Sequence, residues 1–320
     1  MRAAALFLCG LARSLAAPAP SVGFPVTNAS APGTGRTAAI VVRGDVFRDC
    51  GHGFRCGALG PHPSLAAARS VAARVVAPLA RAGYAVSTYV ATYACPDRRP
   101  AEWAAYLEAL GGAAAVDAPV FRSGETQRDT LLRALALVPR PADVIVVARA
   151  DLLFVADLFP ASVLASTHDV LFHADLAGGV AYDPDRAPAR TPGPITDKVQ
   201  VLRGRVGAAG FVDAILNDGC FNFDDDDDDD GGYLSGEGCY APVAARVRSV
   251  GFLRDLVPGT RPGTFGDNED GDALYRVLPR SLGALPPGAR ASLLGGDAGP
   301  YATGACGKGR AWAAARAELR

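Results

Sequence analysis

A chain of 320 residues with 49% apolar content has enough material for a sizeable core, in one large domain or two small ones. Its formal net charge is −1, but seven of the acids form one run, Asp224 to Asp230, and setting that run aside leaves 32 basic residues against 26 acidic ones. A mildly basic body of this kind suits a small anionic ligand and is far too weakly charged to argue for nucleic acid.

Arginine supplies the basic residues throughout, with Lys198 and Lys308 as the exceptions, and alanine and glycine are abundant everywhere. That is how a GC-rich genome writes through its codons, so no single arginine carries weight by itself. At the N-terminus Arg2 precedes an apolar stretch from Ala3 to Ala12, followed by small residues around Ala16 and Ala17. The pattern predicts a secretory signal peptide over 1–17. Arg13 interrupts it well short of the roughly 20 apolar residues a spanning helix needs. A type II Golgi anchor and a plastid transit segment are the alternatives, and no other segment reads as transmembrane. Residues 18–36 are a flexible lead-in rich in Pro, Ala, Ser, Gly and Thr, with a glycosylation sequon at Asn28. Without Cys9 six cysteines remain, an even set that fits disulfides in an exported chain, with Cys50–Cys56 and Cys220–Cys239 as local pairs. Zinc is the rival, and no pair has the CxxC spacing for it.

From residue 37 strands and helices alternate. "TAAIVVR" (37–43) is an apolar strand. Residues 64–83 are a helix that Ser64 can cap, with Leu65, Ala68, Ala72, Val75, Val76 and Leu79 on one face and Gly83 at its end. Pro78 should kink its last turn. Strands follow at 84–93 and 113–121, with a helix at 100–110 between them. A helix at 125–138 leads to the strand 143–149, "DVIVVAR". Strands at 168–175 and 197–203, a helix at 206–216 and a helix start at 268–278 complete the pattern, with a further helix in the tail at 311–320. Such alternation predicts parallel βαβ units in an α/β, doubly wound, mostly parallel sheet. Strands buried on both faces read as continuous Val/Ile runs, which accounts for "DVIVVA". A single domain over 37–280 is expected, with 217–241 as an irregular acidic loop insertion and 281–320 as a C-terminal extension.

Ligands in such sheets bind beyond the carboxyl ends of the strands, where the strand order reverses. Arg43, Arg149 and Asp151 lie at such ends. If the order is 3-2-1-4, the first and fourth strands are neighbours and these three residues face one pocket. A guanidinium binds phosphate oxygens bidentately, and a carboxylate can hold a divalent cation bridging a diphosphate. The plainer alternative for Arg149 and Asp151 is an ion pair closing a strand end. His168 and His173 flank a strand ahead of Asp175 and could hold a metal, although packing is the commoner use of such residues. The Asp224–Asp230 run is a solvated loop, because seven like charges repel and lack the spacing of a calcium loop.

In their order, "VVRGDVFR" (41–48), "GYAVSTYVATY" (83–93), "GETQRDTLLRAL" (124–135), "DVIVVARADLLF" (143–154) and "ITDKVQVLRGR" (195–205) resemble a group of glycosyltransferase-like proteins of algae, large algal viruses and bacterial polysaccharide clusters. The resemblance implies a glycosyltransferase-A-like, Rossmann-like fold. It implies transfer of a sugar from a UDP- or GDP-sugar donor to a glycan or glycoprotein acceptor in the ER or Golgi lumen, or outside the cell. Carried over, Arg43 and Arg48 lie near the nucleotide or its phosphates and Gln127 near the donor. Arg149 and Asp151 stand where metal-dependent relatives place an Asp-x-Asp, with Asp151 the ligand of a manganese or magnesium ion. Arg149 in place of the first Asp puts that metal dependence in question. Asp197, Glu269 and Asp175 are the candidates for a general base. The rivals are a relative that binds glycan or nucleotide without turnover, a different α/β enzyme such as an oxidoreductase (the turn after the first strand has no GxGxxG), and an acidic extracellular cation-binding protein.

Overall fold

A computed structural model describes residues 35–44, 46, 64–93, 100–111, 120–121, 127–138, 142–173, 198–217, 240–258 and 274–277. Its centre is a seven-stranded sheet in the order β3-β2-β1-β4-β7-β6-β8. The strands are β1 (Thr37–Arg43), β2 (Ala85–Tyr93), β3 (Val120–Phe121), β4 (Val144–Arg149), β6 (Val170–Phe172), β7 (Val199–Arg203) and β8 (Val250–Phe252). Pairing is parallel for β1 with β2 and β4, for β2 with β3 and for β6 with β8; β7 runs antiparallel to both neighbours. The doubly wound, mostly parallel sheet expected from the sequence is therefore present.

The reason lies in what covers each face. Alternate residues of the strands feed two separate cores. Ile40, Val42, Val146 and Val201 pack on one side with Val75, Leu79 and Tyr106; Val41, Val147 and Leu202 pack on the other with Leu131, Phe211 and Ile215. Full burial of each such aliphatic side chain contributes roughly 1.5–3 kcal/mol, so strands made of them are stable only when sandwiched. The first core is roofed by α1 (Ser64–Val71), a π-turn at Ala72–Val76, α2 (Ala77–Arg81) and α3 (Pro100–Ala109). The second is roofed by α4 (Gln127–Leu135) and α6 (Gly204–Asn217). In the order of the chain, β1, β2 and β3 step one way; α4 then crosses the other face and returns the chain to β4, on the far side of β1. The strand order reverses between β1 and β4.

The helix over 64–81 passes through Pro78 by way of the π-turn rather than a break. Pro78 has no N–H to give the carbonyl of Arg74. Leu158 supplies the missing donor, its amide bonding to the Arg74 oxygen at 2.9 Å. Further along, α6 approaches its neighbours closely at two glycines, Gly207 against the residue before β6 and Gly210 against Arg246 and Val247 ahead of β8. A Cβ on Gly207 would fall 2.2 Å from the Asp169 carbonyl oxygen.

One expected element is different. The helix start read at 268–278 contains a strand, β9 (Tyr275–Val277), which pairs antiparallel with β5 (Leu152–Phe154). Cross-strand partners far away in sequence outweigh the local helical pattern there. The strand read at 168–175 is limited to Val170–Phe172 within the described residues. Short helices at Ala161–Ala165 (α5), Tyr240–Ala244 (α7) and Leu253–Leu256 (α8) complete the fold. All seven cysteines, the N-terminal segment, the Asp224–Asp230 run and the tail helix lie outside the described residues. Among the described residues no helix is long and apolar enough to cross a membrane.

Candidate functional site

The carboxyl edge of the sheet collects the polar groups. Arg43 ends β1 and Arg149 ends β4, and the two are register partners on neighbouring parallel strands, a spacing of about 4.8 Å between strands. Each lies two residues beyond a valine of the second core, Val41 and Val147, so both side chains leave the sheet on the same face. Arg43 is 4% exposed.

Three backbone bonds tie this edge together. Ala150 donates its amide to the carbonyl of Arg43 at 2.8 Å, Gly44 donates to Ala91 at 3.0 Å, and Arg149 donates to Lys198 at 3.1 Å. Beyond the turn, Val46 donates its amide to the Thr92 hydroxyl oxygen at 3.3 Å. Gly44 has φ +114°, and its nearest prospective Cβ contact is Ala150 N at 3.9 Å. Space is thus available, and backbone conformation is what requires glycine. The turn after β1 is pinned to β2 on one side and to the β4 turn on the other.

Asp151 faces Arg149 in a two-point pair. Arg149 Nε donates to one carboxylate oxygen at 2.9 Å and Nη2 to the other at 2.6 Å. Their side chains are 20% and 9% exposed. Both oxygens of Asp151 are thereby engaged, and a cation there would have to displace the guanidinium. Among the described residues no group of three or more His, Cys, Asp and Glu is arranged to hold a metal ion. Among the described residues around Asp151, two guanidiniums and a carboxylate already engaged by one of them suit an anion better than a divalent cation.

Further along the same edge stand residues that sequence reasoning missed or read otherwise. His173, directly after β6, is fully buried, and its Nδ1 shares a hydrogen bond of 2.9 Å with the Tyr275 hydroxyl. The rings are 4.6 Å apart. The carbonyl of His173 accepts the amide of Arg254 at 3.1 Å, and the Arg254 guanidinium lies 5.1 Å from the Phe252 ring centre. Gln200, on β7 between Val147 and Phe172, is a buried amide within the sheet. A glutamine inside a Val/Leu strand is a signal that could have been read from "VQVLR".

His168 belongs to the opposite end. It precedes β6, and its ring packs against Gly251, where a Cβ would come within 2.5 Å. Five residues of extended chain span about 16 Å, so His168 and His173 cannot share a metal. Beside His168, Asp169 accepts bonds from the Arg248 side chain at 2.7 Å and from the Arg248 amide at 2.8 Å. The Arg248 side chain holds the Asp169 carboxyl below the usual range, against the opposing effect of burial. Arg203, at this same amino end, donates to the Val163 carbonyl, and burial lowers its pKa. These groups brace the fold away from the candidate site.

Of the residues proposed from sequence, Arg43, Arg149 and Asp151 stand together. Gln127 begins α4, and a crossover helix runs antiparallel to its strands, so this first turn lies toward the carboxyl edge. The Gln127 side chain, Arg48, Asp175, Asp197 and Glu269 lie outside the described residues.

No family model matches the chain, and no curated protein does. Solved structures with partial likeness include a nucleoside-diphosphate-sugar pyrophosphorylase from Vibrio cholerae, 12% identical, covering 65% of this chain and 88% of that one with a TM-score of 0.37. The glycosyltransferase GlyE of Streptococcus pneumoniae is 9% identical over 69% of this chain and 45% of its own, with a TM-score of 0.36. The galactosyltransferase LgtC is 15% identical over 52% and 58%, with a TM-score of 0.30. Likeness at this level carries no argument about activity, which rests on the residues at the carboxyl edge.

Proposed function

We propose that this protein transfers a sugar from a UDP- or GDP-sugar to a hydroxyl of a glycan or glycoprotein acceptor, within the secretory pathway. The observation that carries the reading is the placement of Arg43 and Arg149 side by side where the strand order reverses. That is where a doubly wound sheet binds ligands, and paired guanidiniums are suited to phosphate oxygens. The ordered motifs that resemble glycosyltransferase-like proteins supply the chemistry.

In the reaction, the acceptor hydroxyl oxygen attacks the anomeric carbon. The bond from that carbon to the diphosphate oxygen breaks, and its electron pair remains on the diphosphate. Arg43 and Arg149 stabilise the charge that develops there, at a buried edge where such interactions are stronger than in water. The acceptor proton passes to a carboxylate, for which Asp197, Glu269 and Asp175 are the candidates.

A second reading, nucleotide binding without turnover, is favoured by the engagement of Asp151 with Arg149, because a carboxylate held in that pair is not available as a base. Incubation with a panel of UDP- and GDP-sugars, with free nucleotide and free sugar measured separately, separates the two. Release of nucleoside diphosphate supports transfer or hydrolysis. Binding without release supports the second reading, and neither binding nor release rejects both.

A further inference from the structure

Resting on that reading, we infer that the donor's diphosphate is seated by guanidinium exchange rather than by a bridging cation: Arg149 gives up Asp151 for phosphate, beside Arg43. Three observations lead to this.

The first is the backbone. Phosphate sites on α/β sheets often use turn amides, but here the amides of Gly44, Arg149 and Ala150 already bond to Ala91, Lys198 and Arg43. Recognition by these three residues therefore falls to their side chains. The second is charge. Arg43 and Arg149 are register partners, so a divalent cation held by Asp151 would lie within a few ångströms of guanidinium groups and be repelled by them. An anion meets the opposite field. The third is the pair itself. Asp151 offers one negative charge to Arg149 through a two-point contact of the same shape that a phosphate makes. A diphosphate offers more than one negative charge and can compete for the same fork. Asp151 then acts as a placeholder that keeps Arg149 ordered before the nucleotide arrives.

The exchange makes two predictions that a metal site does not. Binding should be indifferent to chelation, and removing the charge of Asp151 should help binding rather than abolish it. The experiment is calorimetric titration of the full chain with UDP and with GDP, in EDTA and in manganese, for wild type, Asp151→Asn and Arg149→Asp.

Expected are wild-type dissociation constants that agree within about threefold between EDTA and manganese. Asp151→Asn should bind severalfold more tightly. Arg149→Asp, which restores an Asp-x-Asp, should lose at least tenfold in EDTA and recover with manganese. Should Arg149→Asp fail to fold, the direction of the Asp151→Asn change decides alone. Tenfold tighter wild-type binding with manganese, or weaker binding by Asp151→Asn, overturns the exchange and leaves the sugar-transfer reading standing. No binding of UDP or GDP in either condition overturns both.

Discussion

Arg43 and Arg149 are held level with each other at the ends of adjacent strands, and the chain fastens them there: the amide of Ala150, next after Arg149, bonds to the carbonyl of Arg43 at 2.8 Å. Two cationic side chains on one face of neighbouring strands repel, and the Arg149–Asp151 pair offsets part of that cost.

Arg43→Ala and Arg149→Ala should each weaken nucleoside-diphosphate binding by about tenfold to a hundredfold, since a hydrogen bond to a charged group contributes roughly 1.5–3 kcal/mol. Lysine at either position should restore little, because a point charge does not reproduce the two-pronged geometry. Calorimetric titration with UDP and GDP measures both effects. Unchanged affinity in both alanine variants would mean that the ligand lies elsewhere.

Gly44→Ala should destabilise the fold by roughly 1–3 kcal/mol, the usual cost of a side chain at a backbone conformation reserved for glycine. The cause is the φ of +114° and not crowding, as the nearest contact would be 3.9 Å away. Urea unfolding gives the number.

Gly207→Ala tests how α6 meets the sheet. Its Cβ would press on the Asp169 carbonyl oxygen, a backbone atom that cannot swing aside. Overpacking of this kind costs about 1–3 kcal/mol or more. Thermal unfolding should show a clear drop in Tm, whereas alanine at Gly111, where nothing lies within 4 Å, should act only through its φ of +114°.

Asp169 gives the pH dependence. Its folded-state carboxyl titrates below the usual value of about 3.8 because Arg248 bonds to it. A lowered carboxylate contributes stability that is complete above the unfolded value and is lost as pH falls through the folded one. Asp169→Asn should therefore be less stable at neutral pH by about 1–3 kcal/mol. It should also show a flatter loss of stability below pH about 4. Chemical denaturation at a series of pH values tests both, and an Asn variant that follows the wild-type slope would rule out this source.

Much of the fold was legible because its central strands are buried on both faces. β1 spans the same residues, 37–43, as the apolar run read from sequence, and β4 begins one residue inside its run. The reversal between them follows from alternating strands and helices, so the edge that gathers Arg43, Arg149 and Asp151 could be anticipated. Their register could not, because it is set by hydrogen bonds between segments about a hundred residues apart. The pairing of Leu152–Phe154 with Tyr275–Val277 and the bond between His173 and Tyr275 were invisible for the same reason. Local pattern suggested a helix at 268–278, and a distant partner made part of it a strand. The ion pair between Arg149 and Asp151, the plainer of the two readings made from the sequence, is the one present, and it changes how the Arg-x-Asp is read.

The most direct test of the diphosphate seat is a crystal structure of the protein with UDP or GDP bound. The account predicts phosphate oxygens within about 3 Å of the guanidinium nitrogens of both Arg43 and Arg149, with Asp151 turned away from Arg149. A nucleotide bound elsewhere, or phosphates at this edge with the Arg149–Asp151 pair still closed, would contradict it.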